Sequence, residues 1–194
     1  MPYALFVDAT RGKLDAAGTE PAVPAAGAGN ILQRQYELRT GDYRLATGEG
    51  LLLTRGVGSC VVACLWDGVD KIGGMAHIAL GDSSTARQER WERPGLFADT
   101  ALVVLLDCML ARGACRSRLS ARLTGAGNMF AGRDQGFMGE VSQGVLDGVN
   151  GALEKLGLPV QAQSVGGMHG RSVFFDVATG RIDIRLTNGE HVSL

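Results

Sequence analysis

The stretch that decides the fold reads Thr54-Arg-Gly-Val-Gly-Ser-Cys60-Val-Val-Ala-Cys-Leu-Trp-Asp67-Gly-Val-Asp70-Lys-Ile-Gly-Gly-Met-Ala-His77-Ile-Ala-Leu80. Two apolar runs, 60–67 and 72–80, flank Asp67-Gly68-Val69-Asp70. Apolar runs of strand length on either side of a glycine-bearing turn predict a β-hairpin. A two-residue loop of Gly68 and Val69 sets Asp67 against Asp70 and Cys60 directly across from His77. A four-residue loop closed by Trp66 and Lys71 gives the same partners. Directly opposed residues share a face, with Cβ atoms roughly 4.5–5.5 Å apart. A slip of one residue would put the two side chains on opposite faces.

A thiol beside an imidazole is the unit of cysteine nucleophile catalysis. The imidazole takes the thiol proton, and the resulting ion pair is expected to lower the thiol pKa. Cys60 is then expected to be the most reactive of the four thiols. The plainer reading of Cys60 is a small buried hydrophobe, with His77 a satisfied polar group. The approach to Cys60 favours chemistry. Arg55-Gly56-Val57-Gly58-Ser59 is a tight loop with two glycines, which lets the backbone turn and a substrate chain approach. Thr54, at its mouth, is placed to hydrogen-bond His77, or is an ordinary strand-end residue. Glycines 56, 58, 73 and 74 leave little bulk near Cys60 and predict a shallow groove.

Outward from the hairpin, residues 36–38, 43–45, 51–54, 118–123 and 159–165 read as strands. Residues 173–177 and 182–186 read as a further hairpin, and Asn188-Gly189 as a last tight turn. Apolar residues at helical spacing predict helices over 97–112 and 138–156, stopped by Gly113 and Gly157. Residues 3–7 suit an edge strand. Residues 15–30 are Ala, Gly and Pro with almost no bulky side chains, which reads as a flexible linker. We therefore divide the chain into an N-terminal extension, 1–30, and one domain, 31–194. The expected class is α+β: mostly antiparallel sheets with helices packed on the outside. Glycine supports it, at 29 of 194 residues, roughly twice the usual share of about 7%.

Composition excludes several classes. Lys and Arg number 19 against 20 Asp and Glu, so no basic excess marks a nucleic-acid binder. No run of about 20 uncharged apolar residues exists to insert in a membrane. The N-terminus lacks a charged region followed by an apolar run, so no secretory signal is expected. Cytoplasmic location and free thiols at Cys60, Cys64, Cys108 and Cys115 follow as expectations. Cys64 is four strand residues from Cys60, roughly 13 Å, too far for a disulfide or a shared metal. No metal or cofactor is expected. Gly125-Ala126-Gly127-Asn128-Met129-Phe130 lacks the third glycine of a dinucleotide loop. The cluster 166–171 is either a plain turn or a site rim bringing His169 or Arg171 near substrate.

These residues resemble a known family, the CheD chemoreceptor glutamine deamidases. The resemblance rests on Thr54, the run Gly56-Val57-Gly58-Ser59-Cys60, and Gly74-Met75-Ala76-His77 at the same spacing. It extends to Phe97-Ala98-Asp99-Thr100-Ala101, to 124–130, and to Gly166-Gly167 with Gly170-Arg171-Ser172-Val173. It covers residues 36–185. It implies a layered sandwich in which Cys60, His77 and Thr54 form a triad that hydrolyses a protein glutamine amide to glutamate and ammonia. By the residues' own chemistry, apart from the resemblance, backbone N–H groups of Gly58, Ser59 and Cys60 are expected to form an oxyanion loop, and Arg55 and Arg171 a rim favouring acidic segments. Chemoreceptor helices are the implied substrate and a CheC-type phosphatase the implied partner. Methylesterase activity is a related reading. A silent binding module on the same surface and another thiol hydrolase, such as a protease or transglutaminase-like enzyme, are the alternatives. Two departures stand out: Glu140-Val141-Ser142-Gln143 where the family has an Asn, and Arg55 where it has an apolar residue.

Overall fold

The structure is a computed structural model and describes residues 34–84, 93–129 and 137–194. The edge strand at 3–7, the linker at 15–30, and Phe130 lie outside the described residues. Among the described residues, ten strands form two five-stranded sheets. The central sheet runs β2 (Tyr43–Thr47), β5 (Ile72–Ile78), β4 (Val61–Asp67), β6 (Ser120–Gly125), β7 (Val160–Val165). The outer sheet runs β1 (Gln35–Leu38), β3 (Leu51–Val57), β8 (Arg171–Asp176), β9 (Ile182–Leu186), β10 (His191–Ser193). Two pairings are parallel, β1 with β3 and β6 with β7; the others are antiparallel. The α+β class and the antiparallel bias hold.

Two helices, α1 (Ala98–Ala111) and α2 (Phe137–Lys155), cover one face of the central sheet. α1 buries Ala98, Ala101, Leu102, Leu105, Leu106 and Met109, a stripe at the helical period. Each fully buried Leu-sized side chain in such a stripe contributes about 1.5–3 kcal/mol. Both helices stop as the glycines predict. Ala114 N–H reaches Met109 O and Gly113 N–H reaches Leu110 O, while Leu158 and Gly157 repeat the pattern on Leu153 and Glu154. No helix among the described residues is long and apolar enough to cross a membrane.

The second core fills the space between the sheets. It holds Leu52 and Val57 of β3, Val62 and Cys64 of β4, Met75 of β5, and Val173 and Phe175 of β8. The pair Gly73-Gly74 lets three layers come together at β5. A Cβ on Gly73 would lie 2.6 Å from Val177, and one on Gly74 would lie 2.8 Å from Leu105. These glycines are spent on packing, which corrects the expectation that they open space around Cys60.

The hairpin register also differs from expectation. Asp67 pairs with Ile72, Val62 with His77, and Val61 with Ile78. The loop is four residues, 68–71, closed one position later than anticipated. Its cause is Asp67, whose Oδ1 accepts from Val69 N–H at 3.1 Å and Asp70 N–H at 3.4 Å, while Lys71 adopts φ 52°. The shift moves each pairing by two residues, so faces are preserved. Cys60 becomes a diagonal neighbour of His77 across the strand pair, not its direct partner.

Candidate active site

His77 lies on the inter-sheet face of β5 and is 1% exposed. Its backbone is held by the β1–β2 turn: Gly41 N–H donates to His77 O at 2.8 Å, and His77 N–H donates to Asp42 O at 3.0 Å. Thr54 reaches it from the other sheet. The Thr54 hydroxyl donates to Leu38 O at 2.9 Å, and its oxygen lies 2.8 Å from His77 Nδ1. With the hydroxyl proton committed to Leu38, the oxygen must accept, so Nδ1 carries the ring proton. Nε2 is then a bare acceptor, and it is buried with no partner among the described residues. A buried unpaired acceptor costs roughly 1–3 kcal/mol and calls for an explanation.

Cys60 supplies one. It directly precedes β4, two residues before Val62, and its side chain packs on the inter-sheet core with Val62 and Cys64. It therefore shares the His77 face. Burial pushes the Cys60 thiol up, opposed by hydrogen bonds from the Thr40 side chain and from its own backbone N–H. Burial also pushes His77 down, to about 4, with Asp42 acting in the other direction. Both shifts favour neutral forms. The resting pair is thus thiol and neutral imidazole, which corrects the expected thiolate–imidazolium pair. Cys64, fully buried, has its thiol pushed up far more strongly.

The nucleophile loop is anchored on one side. Gly127 N–H donates to Gly58 O at 2.8 Å, and Ala126 N–H donates to Cys60 O at 2.7 Å. Ala126 sits at φ 51°, in the left-handed region that costs a non-glycine residue roughly 1–2 kcal/mol. Strain of this kind is retained where the surroundings impose it, commonly at working sites. Across a trans peptide C=O and N–H point oppositely. With Gly58 O turned to Gly127, Ser59 N–H points away from that anchor, and it has no backbone partner among the described residues. Met129 covers Gly58, its Cε 2.6 Å from where a Cβ would sit, a contact that the flexible end of this exposed side chain can relieve.

Two rim assignments fail. Arg171 is 3% exposed. β8 begins at Arg171, two residues earlier than expected, and points it into the gap between sheets. Its guanidinium donates to Thr124 Oγ1 at 3.2 Å, to Ser164 O at 2.6 Å, and to Gly166 O. It is a strut between the sheets. Arg55 neighbours Thr54 on β3 and so takes the opposite face. There it pairs with Glu37 at 2.6 Å, both side chains exposed, and lies 6.0 Å from the Phe174 ring. Arg171 is a buried strut and Arg55 an exposed ion-paired residue on the opposite face, so neither is the exposed cation at the rim that the sequence suggested. Sequence reading also missed Thr124, which takes the Arg171 guanidinium, and Ala126, for which the Gly-Ala-Gly run was the available signal.

A histidine with one nitrogen fixed and the other bare, beside a cysteine on a glycine loop, sits on a chain whose relatives share one description. The matching family model is described as CheD chemotactic sensory transduction and spans residues 79–186. A relative from Desulforamulus reducens, named probable chemoreceptor glutamine deamidase CheD, is 37% identical over 151 residues, 78% of this chain and 90% of the relative. This chain belongs to the CheD family. The chemoreceptor glutamine deamidase CheD of Halalkalibacterium halodurans is 38% identical, covering 74% of this chain and 88% of that one. A probable one from Pyrococcus abyssi is 35% identical, over 83% and 97%. The CheD family match begins past His77. A match of 151 residues in a chain of 194 nonetheless must span 54–77. Among solved structures, a Bacillus licheniformis hypothetical protein YfiH aligns with TM-score 0.38 at 15% identity, over 69% of this chain and 59% of that one, and bears no weight.

Proposed function

We propose that the chain is a chemoreceptor glutamine deamidase, with Cys60 as nucleophile, His77 as acid and base, and Thr54 orienting His77. The observation that carries this reading is the bare, buried Nε2 of His77 on the face that Cys60 shares. The relatives' names supply the substrate class.

In the first half-reaction Cys60 Sγ attacks the glutamine carboxamide carbon while its proton passes to His77 Nε2. The carbonyl π pair moves to oxygen, facing the N–H groups of the Gly58-Ser59-Cys60 loop. The imidazolium then returns the proton to the amide nitrogen, the C–N bond breaks, and ammonia leaves a thioester. In the second half, His77 takes a proton from water, hydroxide attacks the thioester, the C–S bond breaks, and His77 returns the proton to the departing Cys60 sulfur, leaving glutamate and the neutral pair. Thr54 holds Nδ1–H throughout. Because both resting groups are neutral, the thiolate forms only as it attacks.

We place the reaction in the cytoplasm, where four unpaired thiols persist. A CheC-type phosphatase is the second partner we propose, and it would compete with a receptor fragment in a deamidation assay. The deciding experiment incubates the protein with receptor helices and follows ammonia release together with the amide-to-acid mass shift. Conversion by the wild type and none by Cys60→Ala is the expected result. Backbone cleavage, or conversion that survives Cys60→Ala, would reject the reading.

A further inference from the structure

We infer that Ser142 of α2 is a positioning residue for the reaction: its buried hydroxyl, acting through Gly127, fixes the peptide that aims Ser59 N–H at the developing oxyanion. This rests on reading Cys60 as the nucleophile.

Successive peptide groups of the segment after β6 grip the nucleophile loop. The first accepts Gly166 N–H on Gly125 O at 2.9 Å and gives Ala126 N–H to Cys60 O at 2.7 Å. The second gives Gly127 N–H to Gly58 O at 2.8 Å. The third gives Asn128 N–H to Gly167 O at 2.8 Å, and its carbonyl, Gly127 O, accepts the Ser142 hydroxyl at 3.1 Å. The loop is therefore held at the carbonyls of both Gly58 and Cys60, and the third peptide is pinned at both ends. Ser142 is 3% exposed and reaches this peptide from the helix layer. Room at Gly127 is tight. A Cβ there would lie 3.4 Å from Gly58 O, 3.4 Å from His169 O and 3.5 Å from Arg171 Nη2.

A trans peptide is a rigid plane, so the C=O and N–H it carries turn together. Gly58 O and Ser59 N–H belong to one such plane. Whatever holds Gly58 O thus aims Ser59 N–H. Gly127 N–H holds Gly58 O, and the Ser142 bond fixes the adjoining plane at Gly127 O. The segment is strained, with Gly125 at φ 119° and Ala126 at φ 51°. Such a conformation persists only while its surroundings impose it. Without the Ser142 hydroxyl, Gly127 O loses a buried donor, the plane turns to recover one, and Gly127 N–H is drawn off Gly58 O. An oxyanion donor acts by being in place before charge develops. Its misplacement costs turnover and leaves ground-state binding alone.

The test compares two reactions of the same sulfur in the full chain. Deamidation passes through a tetrahedral oxyanion. Alkylation by iodoacetamide displaces iodide from a saturated carbon and forms none. Ser142→Ala should lower kcat on a receptor fragment about tenfold, less than the roughly hundredfold to thousandfold for outright loss of an oxyanion donor. KM should stay within about twofold of wild type. The rate and pH midpoint of Cys60 alkylation, read by peptide mass spectrometry, should match wild type. Ser142→Thr, which keeps the hydroxyl, should restore kcat, and its isostere Ser142→Val should not. This pair carries the comparison if Ser142→Ala does not fold. Wild-type kcat in Ser142→Ala or Ser142→Val would overturn the proposal, as would a Thr variant as impaired as Val. So would Cys60 alkylation that falls in step with kcat, which marks a collapsed loop and not a misdirected donor. The nucleophile reading fails separately, if Cys60→Ala still deamidates. If Cys60→Ala is inactive and Ser142→Ala turns over like wild type, Ser142 alone is excluded.

Discussion

The two ends of the β4–β5 hairpin are built to opposite standards. At the turn, Asp67 is fully buried and every lone pair is used. It accepts from Arg118 Nε at 2.9 Å and Nη2 at 2.8 Å, from Cys115 N–H at 2.8 Å, and from its own turn. Arg118 beside it holds the carboxyl well below the usual carboxylate range. At the open end, His77 is as deeply buried but leaves Nε2 without a partner. A satisfied buried ion stabilises. An unsatisfied buried base stores reactivity, and the fold carries its cost because the rest of the hairpin is so well closed.

That contrast breaks first if activity does not follow the open end. Cys60→Ala should reduce deamidation by on the order of a thousandfold or more, as for removal of a nucleophile that acts with its base as a unit. Its melting temperature should hardly change. Asp67→Asn should do the reverse. It should destabilise by about 2–3 kcal/mol, because Arg118 loses its buried partner, while kcat/KM of the folded fraction stays near wild type. Chemical denaturation beside the activity assay checks both. The Asp67 contribution is present at neutral pH and is lost as pH falls below the ordinary carboxylate pKa, since the folded-state value is depressed.

Finer tests stay within the open end. Thr54→Val removes the group that fixes the His77 proton on Nδ1 and should cost roughly tenfold to a hundredfold in kcat/KM, at about 1.4 kcal/mol per factor of ten. His77 must be neutral to take the thiol proton. With its pKa lowered to about 4, the acid limb of the kcat/KM profile should fall through about 4 and not near the ordinary 6.5. A limb near 6.5 would mean that His77 is more solvated in solution than the structure has it. The smallest effect is a comparison of thiols. Cys115 belongs to the closed end, and its pKa is lowered, first by the Ser117 hydroxyl and also by Arg118. Cys60 is raised. In the free protein Cys115 should therefore alkylate a few-fold faster at neutral pH, the opposite of what a resting ion pair at Cys60 would give.

Much of this was legible in the residues. The hairpin, the shared face of Cys60 and His77, the position of Thr54, and both helix stops follow from period, turn chemistry and glycine placement. The register did not, because Asp67 draws two turn N–H groups onto its side chain and Lys71 adopts a left-handed conformation against its propensity. Arg55 was misplaced through a rule available in the sequence: adjacent strand residues point to opposite faces, so it cannot join Thr54. Arg171 was misplaced because the start of β8 was read two residues late. The backing of His77 by the β1–β2 turn was out of reach for another reason: it depends on how that turn folds over β5, a long-range fact with no local signature.

The double glycine of β5 has a consequence for how this domain can change. The distance between the sheets is set where Gly73 meets Val177, four residues along the strand from His77. The Thr54–His77 bond bridges those same two sheets. A single methyl at Gly73 acts as a shim: it wedges the layers apart and opens a 2.8 Å contact that has no slack. Random mutagenesis scored by activity should therefore find β5 silent to improvement from either side. New substrate preferences would have to be assembled on the loops that surround the strand.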